Sequence, residues 1–358
     1  MKPVLKMPQP SRHPHPTVRA CRLAHLIFER PDLDLAERFL TDFGLVTALK
    51  TNDTLYLRGT GPDPYCYRVH RAPRARFVGF GLCVPTEADL VKVSQLPGAS
   101  RLELCDDPGG GQGSRLTDPS GFLVEVVYGS SEAPALTRRS ALTFNDGDEP
   151  KRVNATQRPP AKPSEIIKLG HIVLEVAEYQ KTCEWYTRTF GFIPSDVQVL
   201  PDGSPLVTFM RLDLGDLPAD HHTMAIAQGF SPAYGHSAYE VVDADAVGMG
   251  QKILREHGWK HAWGIGRHIL GSQIFDYWRD PWGDKHEHYC DGDVFTAEQK
   301  MGIEWASPEA MAQWGQRMPA SFTRPKLSVE NLVGLFRGLG QSPDVTLKKL
   351  ITIARLFG

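Results

Sequence analysis

Residues 266–293 read GRHILGSQIFDYWRDPWGDKHEHYCDGD. At their centre, Asp280-Pro281-Trp282-Gly283-Asp284 has the makings of a three-residue hairpin loop. Pro281 suits the opening of a type I turn, and Gly283 suits the left-handed position that ends it. Such a turn pairs Asp280 with Asp284, and counting outward sets Tyr277 opposite Glu287. Successive side chains along a strand point to opposite faces, so His286 and His288 must face away from Glu287. The apparent HEH cluster reduces to one candidate metal ligand, Glu287, which can share a face with Tyr277.

The same frame occurs in the first half of the chain, where Asp118-Pro119-Ser120-Gly121 precedes FLVEVVYG. Outward from there, RLAHLIFE (22–29) alternates as a strand. PDLDLAERFLTDFGL (31–45) has apolar residues at helical spacing, with Pro31 and Asp32 at its start and Gly44 at its end. LYLRG and YCYRV are short β-rich runs, and the order repeats with FVGFGLCV, a helical EADLVKVSQL and the closing strand pair. In the second half LGHIVLEV precedes AEYQKTCEWYTRTFGF, where YTRTFG echoes FLTDFG. HTMAIA and GHSAYEVV follow, then a helix through Gln251 to His257 stopped by Gly258. One βαβββ-like unit thus occurs four times. The expected class is α+β: four modules paired into domains at 19–130 and 166–295, with an arm at 1–18, a Pro-rich, charged linker at 131–165 and a tail at 296–358. The arm is expected to be loose. The tail, with amphipathic segments near 328–338 and 345–357, is expected to pack on the domain or a neighbouring subunit.

Composition excludes several classes of function. The chain has 358 residues, 41% of them apolar, enough for two domains. Forty basic against 42 acidic residues, net −2, form no basic stripe for nucleic acid or anionic lipid. No stretch approaches the ~20 apolar residues of a membrane span, and no leader is evident. Six cysteines (21, 66, 83, 105, 183, 290) lack CxxC spacing and are expected to be reduced, which points to the cytoplasm. The expected partner is a small molecule, and a homo-oligomer is expected.

The repeat also sorts the histidines. His25, His171 and His236 are each followed four residues later by a glutamate, but four strand residues span about 13 Å at roughly 3.3 Å each. A shared metal must therefore draw its ligands from different strands. In the second half the candidates are His171, His236 and Glu287. The matching first-half positions are His25, Gly79 and Glu125, one ligand short, so no metal is expected there. Of the neighbours His221 and His222, only one can face the same pocket.

GHIVLEV, HHT, GHSAYEV, GRH and DYWRDPWG, with a glutamate four residues after that last glycine, together resemble the type I extradiol ring-cleaving dioxygenases of the vicinal oxygen chelate superfamily. The resemblance covers roughly residues 20 to 293. It implies two domains of paired βαβββ modules with the metal in the C-terminal one, held by His171, His236 and Glu287. It also implies an acid/base histidine at His222, a further pocket histidine at His268 and a substrate-bonding tyrosine at Tyr277. In the first half these three become Tyr65, Asp106 and Arg115. Two histidines and a carboxylate leave about three open positions on Fe(II), room for both oxygens of a catechol and for O2. Mn(II) suits the same ligands. A histidine near neutrality can hold and return a proton. The implied activity is O2-dependent cleavage of a catecholic ring to a semialdehyde-type product. The rivals are a hydroxyphenylpyruvate-type keto-acid dioxygenase, disfavoured by the HHT and GRH histidines, and a metal-free binding or resistance protein on the same fold.

Overall fold

The computed structural model describes residues 9–307, 309–323 and 342–357. The first half forms β1 (Arg22–Arg30), α1 (Leu33–Phe43), β2 (Val46–Lys50), β3 (Thr54–Arg58), β4 (Tyr67–Arg71), β5 (Arg76–Cys83), α2 (Glu87–Ser94), β6 (Glu103–Leu104), β7 (Gln112–Thr117) and β8 (Leu123–Tyr128). The second half forms β9 (Ile166–Val176), α3 (Tyr179–Phe190), β10 (Ile193–Val199), β11 (Pro205–Arg211), β12 (Ala219–Asp220), β13 (Met224–Gln228), β14 (Ala233–Val241), α4 (Ala244–Glu256), β15 (Lys260–Arg267), β16 (Ile274–Arg279) and β17 (Lys285–Cys290). After it come β18 (Val294–Phe295), β19 (Gly302–Trp305), a 3-10 turn at Glu309–Met311, β20 (Trp314–Gly315), α5 (Ala320–Thr323) and α6 (Leu347–Phe357).

The sheet orders show the repeat. The first sheet runs β2-β3-β4-β1-β5-β8-β7-β6, and the second runs β10-β11-β13-β9-β14-β17-β16-β15 between two added edge strands, β19 and β20. In each, the first strands of two modules lie antiparallel at the centre, β1 against β5 and β9 against β14. The fold is α+β with the vicinal oxygen chelate arrangement.

Local signals set the elements. Asp32 accepts from the Leu35 amide, Gly44 closes α1 in the left-handed region, and Ala36, Phe39, Leu40 and Phe43 form its buried stripe. The 280–284 turn has the expected form: the Asp280 amide donates to the Asp284 carbonyl at 2.8 Å, Gly283 has φ 88°, and Tyr277 pairs with Glu287. Arg30 from β1, 1% exposed, bonds Asp280 at 2.9 Å and Asp284 at 2.7 Å, so the first half clamps this turn. His286 and His288 do point away from Glu287. His288 meets the Phe43 carbonyl at 2.6 Å and stacks on its ring, while the Tyr67 hydroxyl lies 3.1 Å from His286. Residues of both halves thus share one core.

The arm and the tail both lie against the second half. Residues 9–18 are held rather than loose, because Thr17 and Val18 donate to the Arg188 and Thr189 carbonyls and Arg12 pairs with Asp213. The tail adds β19 beside β10 and β20 beside β15, at opposite edges of the second sheet. Trp305 and Trp314 are nine residues apart, and nine residues reach about 30 Å at most. The sheet must therefore curl until its edges can be bridged, and the bridge crosses the open mouth. Farther on, Ser342 and Asp344 bond the start of α3, and Lys349 of α6 reaches Gln228 at 3.1 Å. The amphipathic segment at 328–338 lies outside the described residues.

Candidate functional site

Three central strands line up His171, Ala238 and Glu287 in one row, since Ala238 pairs with both His171 and Glu287. Neighbouring strands are about 4.8 Å apart, so His171 and Glu287 must reach toward each other over the small Ala238. His236, two residues before Ala238, shares that face. The folded result places His171 Nε2 3.4 Å and His236 Nε2 3.2 Å from Glu287 Oε2, with one ligand atom from each residue all within 4.8 Å of one another. Ligands at right angles on a first-row cation, with bonds near ~2.1 Å, sit about 3 Å apart. The spacing therefore suits one face of a cation.

The environment supports this fit. Glu287 is completely buried, and neither of its carboxylate oxygens has a hydrogen-bond partner. Burial alone would raise its carboxyl pKa, but the imidazoles of His171, His236 and His268 hold it well below the ordinary range. Burial also brings His236 down to about 4, so it is a neutral imidazole, the form that binds a metal. A buried anion with two unpaired acceptors is costly, and a divalent cation would satisfy it.

The three further residues surround this group. His222, buried, stacks its ring 4.0 Å from that of His171. Burial, then the neighbouring His171 and His221, keep His222 well below its usual pKa. Tyr277 lies with its ring 5.1 Å from His236 and its hydroxyl 2.9 Å from His268 Nε2. His268 Nδ1 lies 2.7 Å from the Met311 carbonyl. A carbonyl only accepts, so that nitrogen carries the hydrogen, and in the neutral ring Nε2 accepts from Tyr277. Burial, together with Glu287, holds the Tyr277 phenol well above its ordinary value, so it keeps its proton.

These side chains line a cavity with an empty volume of about 420 Å³. Its remaining walls are Val173, Gln198, Phe209, Leu270, Gln273, Ala310 and Met311. Gln198 and Phe209 escape sequence reasoning, because β10 and β11 carry no short-range motif. Ala310 and Met311 reach the cavity only through the tail's bridge. Of the two adjacent histidines only His222 lines the cavity; His221 turns away and bonds Asp196 at 2.7 Å. In the first half, where Asp106 is expected to stand for His268, it is the neighbouring Asp107 that turns inward. Asp107 bonds Tyr56, Tyr65 and Arg68, while Asp106 is exposed.

Comparison with known proteins agrees with this geometry. Residues 168–287, which contain all three candidate ligands, match the model of the Glyoxalase/Bleomycin resistance protein/Dioxygenase superfamily. Metapyrocatechase 2 of Cupriavidus necator is 30% identical over 319 residues, 88% of this chain and 94% of that protein. Among solved structures, the Mn(II)-bound glyoxalase of Novosphingobium aromaticivorans superposes with a TM-score of 0.72 at 23% identity, over 87% of this chain and 96% of its own. An extradiol ring-cleaving dioxygenase from B. fuscum gives 0.73 at 18% identity, over 90% and 87%. Likeness at such identities carries the fold alone; the sequence relative carries more. With four modules, one complete set of ligand candidates and that relative, the chain belongs to the type I extradiol ring-cleaving dioxygenases of this superfamily.

Proposed function

We propose that this protein cleaves a catecholic ring beside its hydroxyl pair with O2, at a divalent cation held by His171, His236 and Glu287. The observation that carries the reading is the fully buried Glu287, whose two oxygens lack hydrogen-bond partners and whose Oε2 faces the Nε2 atoms of both His171 and His236. Fe(II), or Mn(II), would supply open positions at which both catechol oxygens and O2 can meet, and the electron transfer between them. The balance needs no outside reductant: one ring C–C bond breaks, and both oxygen atoms end in the product as a carboxylate and a carbonyl.

The chain's own groups have complementary roles. His222, kept neutral, takes a proton from the incoming catechol and can return it later. Tyr277, kept protonated, can turn its hydroxyl hydrogen from His268 Nε2 to a substrate oxygen. His268 holds the Tyr277 hydroxyl in place and is itself tied to the tail through Met311. Besides the site histidines, the walls are mainly apolar, and no Lys or Arg lines the cavity among the described residues. This favours an uncharged ring over a carboxylated one. The fold is read as two paired-module domains at 19–130 and 166–295. Among the described residues no helix is long and apolar enough to cross a membrane and the six cysteines are free, which supports a cytoplasmic reading. Exposed Phe144 and Val153 on the connecting segment support a homo-oligomer.

The test is anaerobic loading with Fe(II) or Mn(II), followed by oxygen uptake and appearance of a yellow product across a panel of catechols. Uptake should be fastest with uncharged rings and at least tenfold slower with carboxylated ones. Stoichiometric metal binding without uptake on any member would sink the reading. Replacing His222 by Phe should leave the metal in place and slow turnover about 10²–10⁴-fold, the usual weight of a general base.

A further inference from the structure

His221 has no place in the chemistry above, yet it is 1% exposed and bonded at both ring nitrogens. Its Nδ1 lies 3.0 Å from His222 Nδ1, with the rings nearly perpendicular at 88°. Its Nε2 lies 2.7 Å from Asp196 Oδ2 on β10. Phe209 and Phe295 pack against its ring, and its backbone amide donates to the Asp293 carbonyl. The carboxylate is held just as closely. Asp196 pairs in register with Gly302 of β19, where a Cβ would overlap Asp196 Oδ1.

With both rings as neutral imidazoles, counting hydrogens along this row leaves one arrangement. A carboxylate only accepts, so His221 Nε2 carries a hydrogen. A neutral His221 ring with its hydrogen on Nε2 has a bare Nδ1, which accepts from His222 Nδ1–H. His222 Nε2 is therefore left with its lone pair free.

We infer that Asp196 and His221 are positioning residues that fix His222 as its Nδ1–H tautomer, so that the cavity is offered a proton acceptor. This rests on the proposed ring cleavage, for which an N–H at that place could not take the proton of a catechol hydroxyl. It also explains the glycine of β19, since Gly302 in the tail makes room for the carboxylate that sets the tautomer. Such outer groups fix the tautomer of a functional histidine in many sites, at a cost of about 10–100-fold when removed.

The test reads the tautomer directly. Long-range ¹H–¹⁵N spectra of histidine-labelled, Zn(II)-loaded protein distinguish Nδ1–H from Nε2–H rings without turnover. Wild-type His222 should be Nδ1–H. In Asp196→Leu and His221→Phe the signal should shift to Nε2–H or to a mixture. The Fe(II)-loaded variants should lose about 10–100-fold in kcat for oxygen uptake, with KM for catechol and metal content unchanged. Asp196→Asn, which keeps an acceptor oxygen, should recover most of the loss, and Gly302→Ala should mimic the loss in part. An Nε2–H signal in wild type, or an unchanged signal in folded Asp196→Leu, overturns the inference. The wild-type spectrum decides even where a variant fails to fold. Absence of uptake by wild type on every catechol would instead defeat the proposed function and leave the spectrum readable.

Discussion

The two halves solve the same electrostatic problem in opposite ways. Each buries a glutamate on the fourth strand of its second module, across from a histidine on the first strand of its first: Glu125 with His25, Glu287 with His171. In the first half the middle residue of the row is Gly81. His25 lies over it and bonds Glu125 directly at 2.9 Å. Arg68 then fills the space a cation would need, 2.8 Å from Glu125, with its other nitrogen on Asp107. In the second half the middle residue is Ala238, the histidine stands off at 3.4 Å, His236 enters from the strand between, and no guanidinium reaches the carboxylate among the described residues. Burial would raise the Glu125 pKa, but His25 and Arg68 hold it well below its ordinary value. Thus a histidine facing a glutamate does not by itself make a metal site. What distinguishes the second half is a buried carboxylate that the protein has left without a cation of its own.

The strongest test of this contrast is Glu287→Gln. It should abolish stoichiometric metal binding and lower oxygen uptake by more than the ~10–100-fold that outer groups cost. The matched change Glu125→Gln should leave metal content and uptake per folded molecule intact. It should instead destabilise the protein by up to about 3 kcal/mol, because it removes one of the two carboxylates that offset the buried Arg68, measurable as a lower midpoint in denaturant. Gly79→His supplies the ligand type that the first half lacks, yet a Cβ there would overlap the Leu123 carbonyl. Metal analysis should still give one ion per chain, with about 1–3 kcal/mol of lost stability; two ions would break the comparison. The smallest effect is in pH. The depressed Glu125 contributes stability that is fully present above the unfolded carboxyl value near ~4.3 and is lost as pH falls toward its folded value. Wild type should therefore weaken progressively below about pH 5, and Glu125→Gln should flatten that slope.

Much of this contrast was legible in the sequence because it depends on local rules. The DPWGD turn fixes register within a few residues, and register fixes which of His286, Glu287 and His288 share a face. The four-fold repeat then turned one strand's alternation into a three-strand alignment, including the missing ligand at Gly79. Arg68 was not legible. It lies 43 residues from His25 in the chain, and nothing in YCYRV says that its arginine turns inward to the glutamate of another module. Asp107 replaced Asp106 for a related reason: outside regular strands, alternation does not decide which of two neighbours points in.

The sequence by itself determined the repeating α+β architecture, the ends of α1, the central hairpin and the choice of His171, His236 and Glu287 as candidate ligands, since each follows from periodicity, capping or turn chemistry within short segments. Only the tertiary structure decided that the first half neutralises its glutamate with Arg68. It alone decided that Asp196 and His221 stand behind His222, and that the tail crosses the cavity to place Met311 against His268. These are contacts between segments far apart in the chain, and they form only when the curled sheet brings its edges within reach of one another.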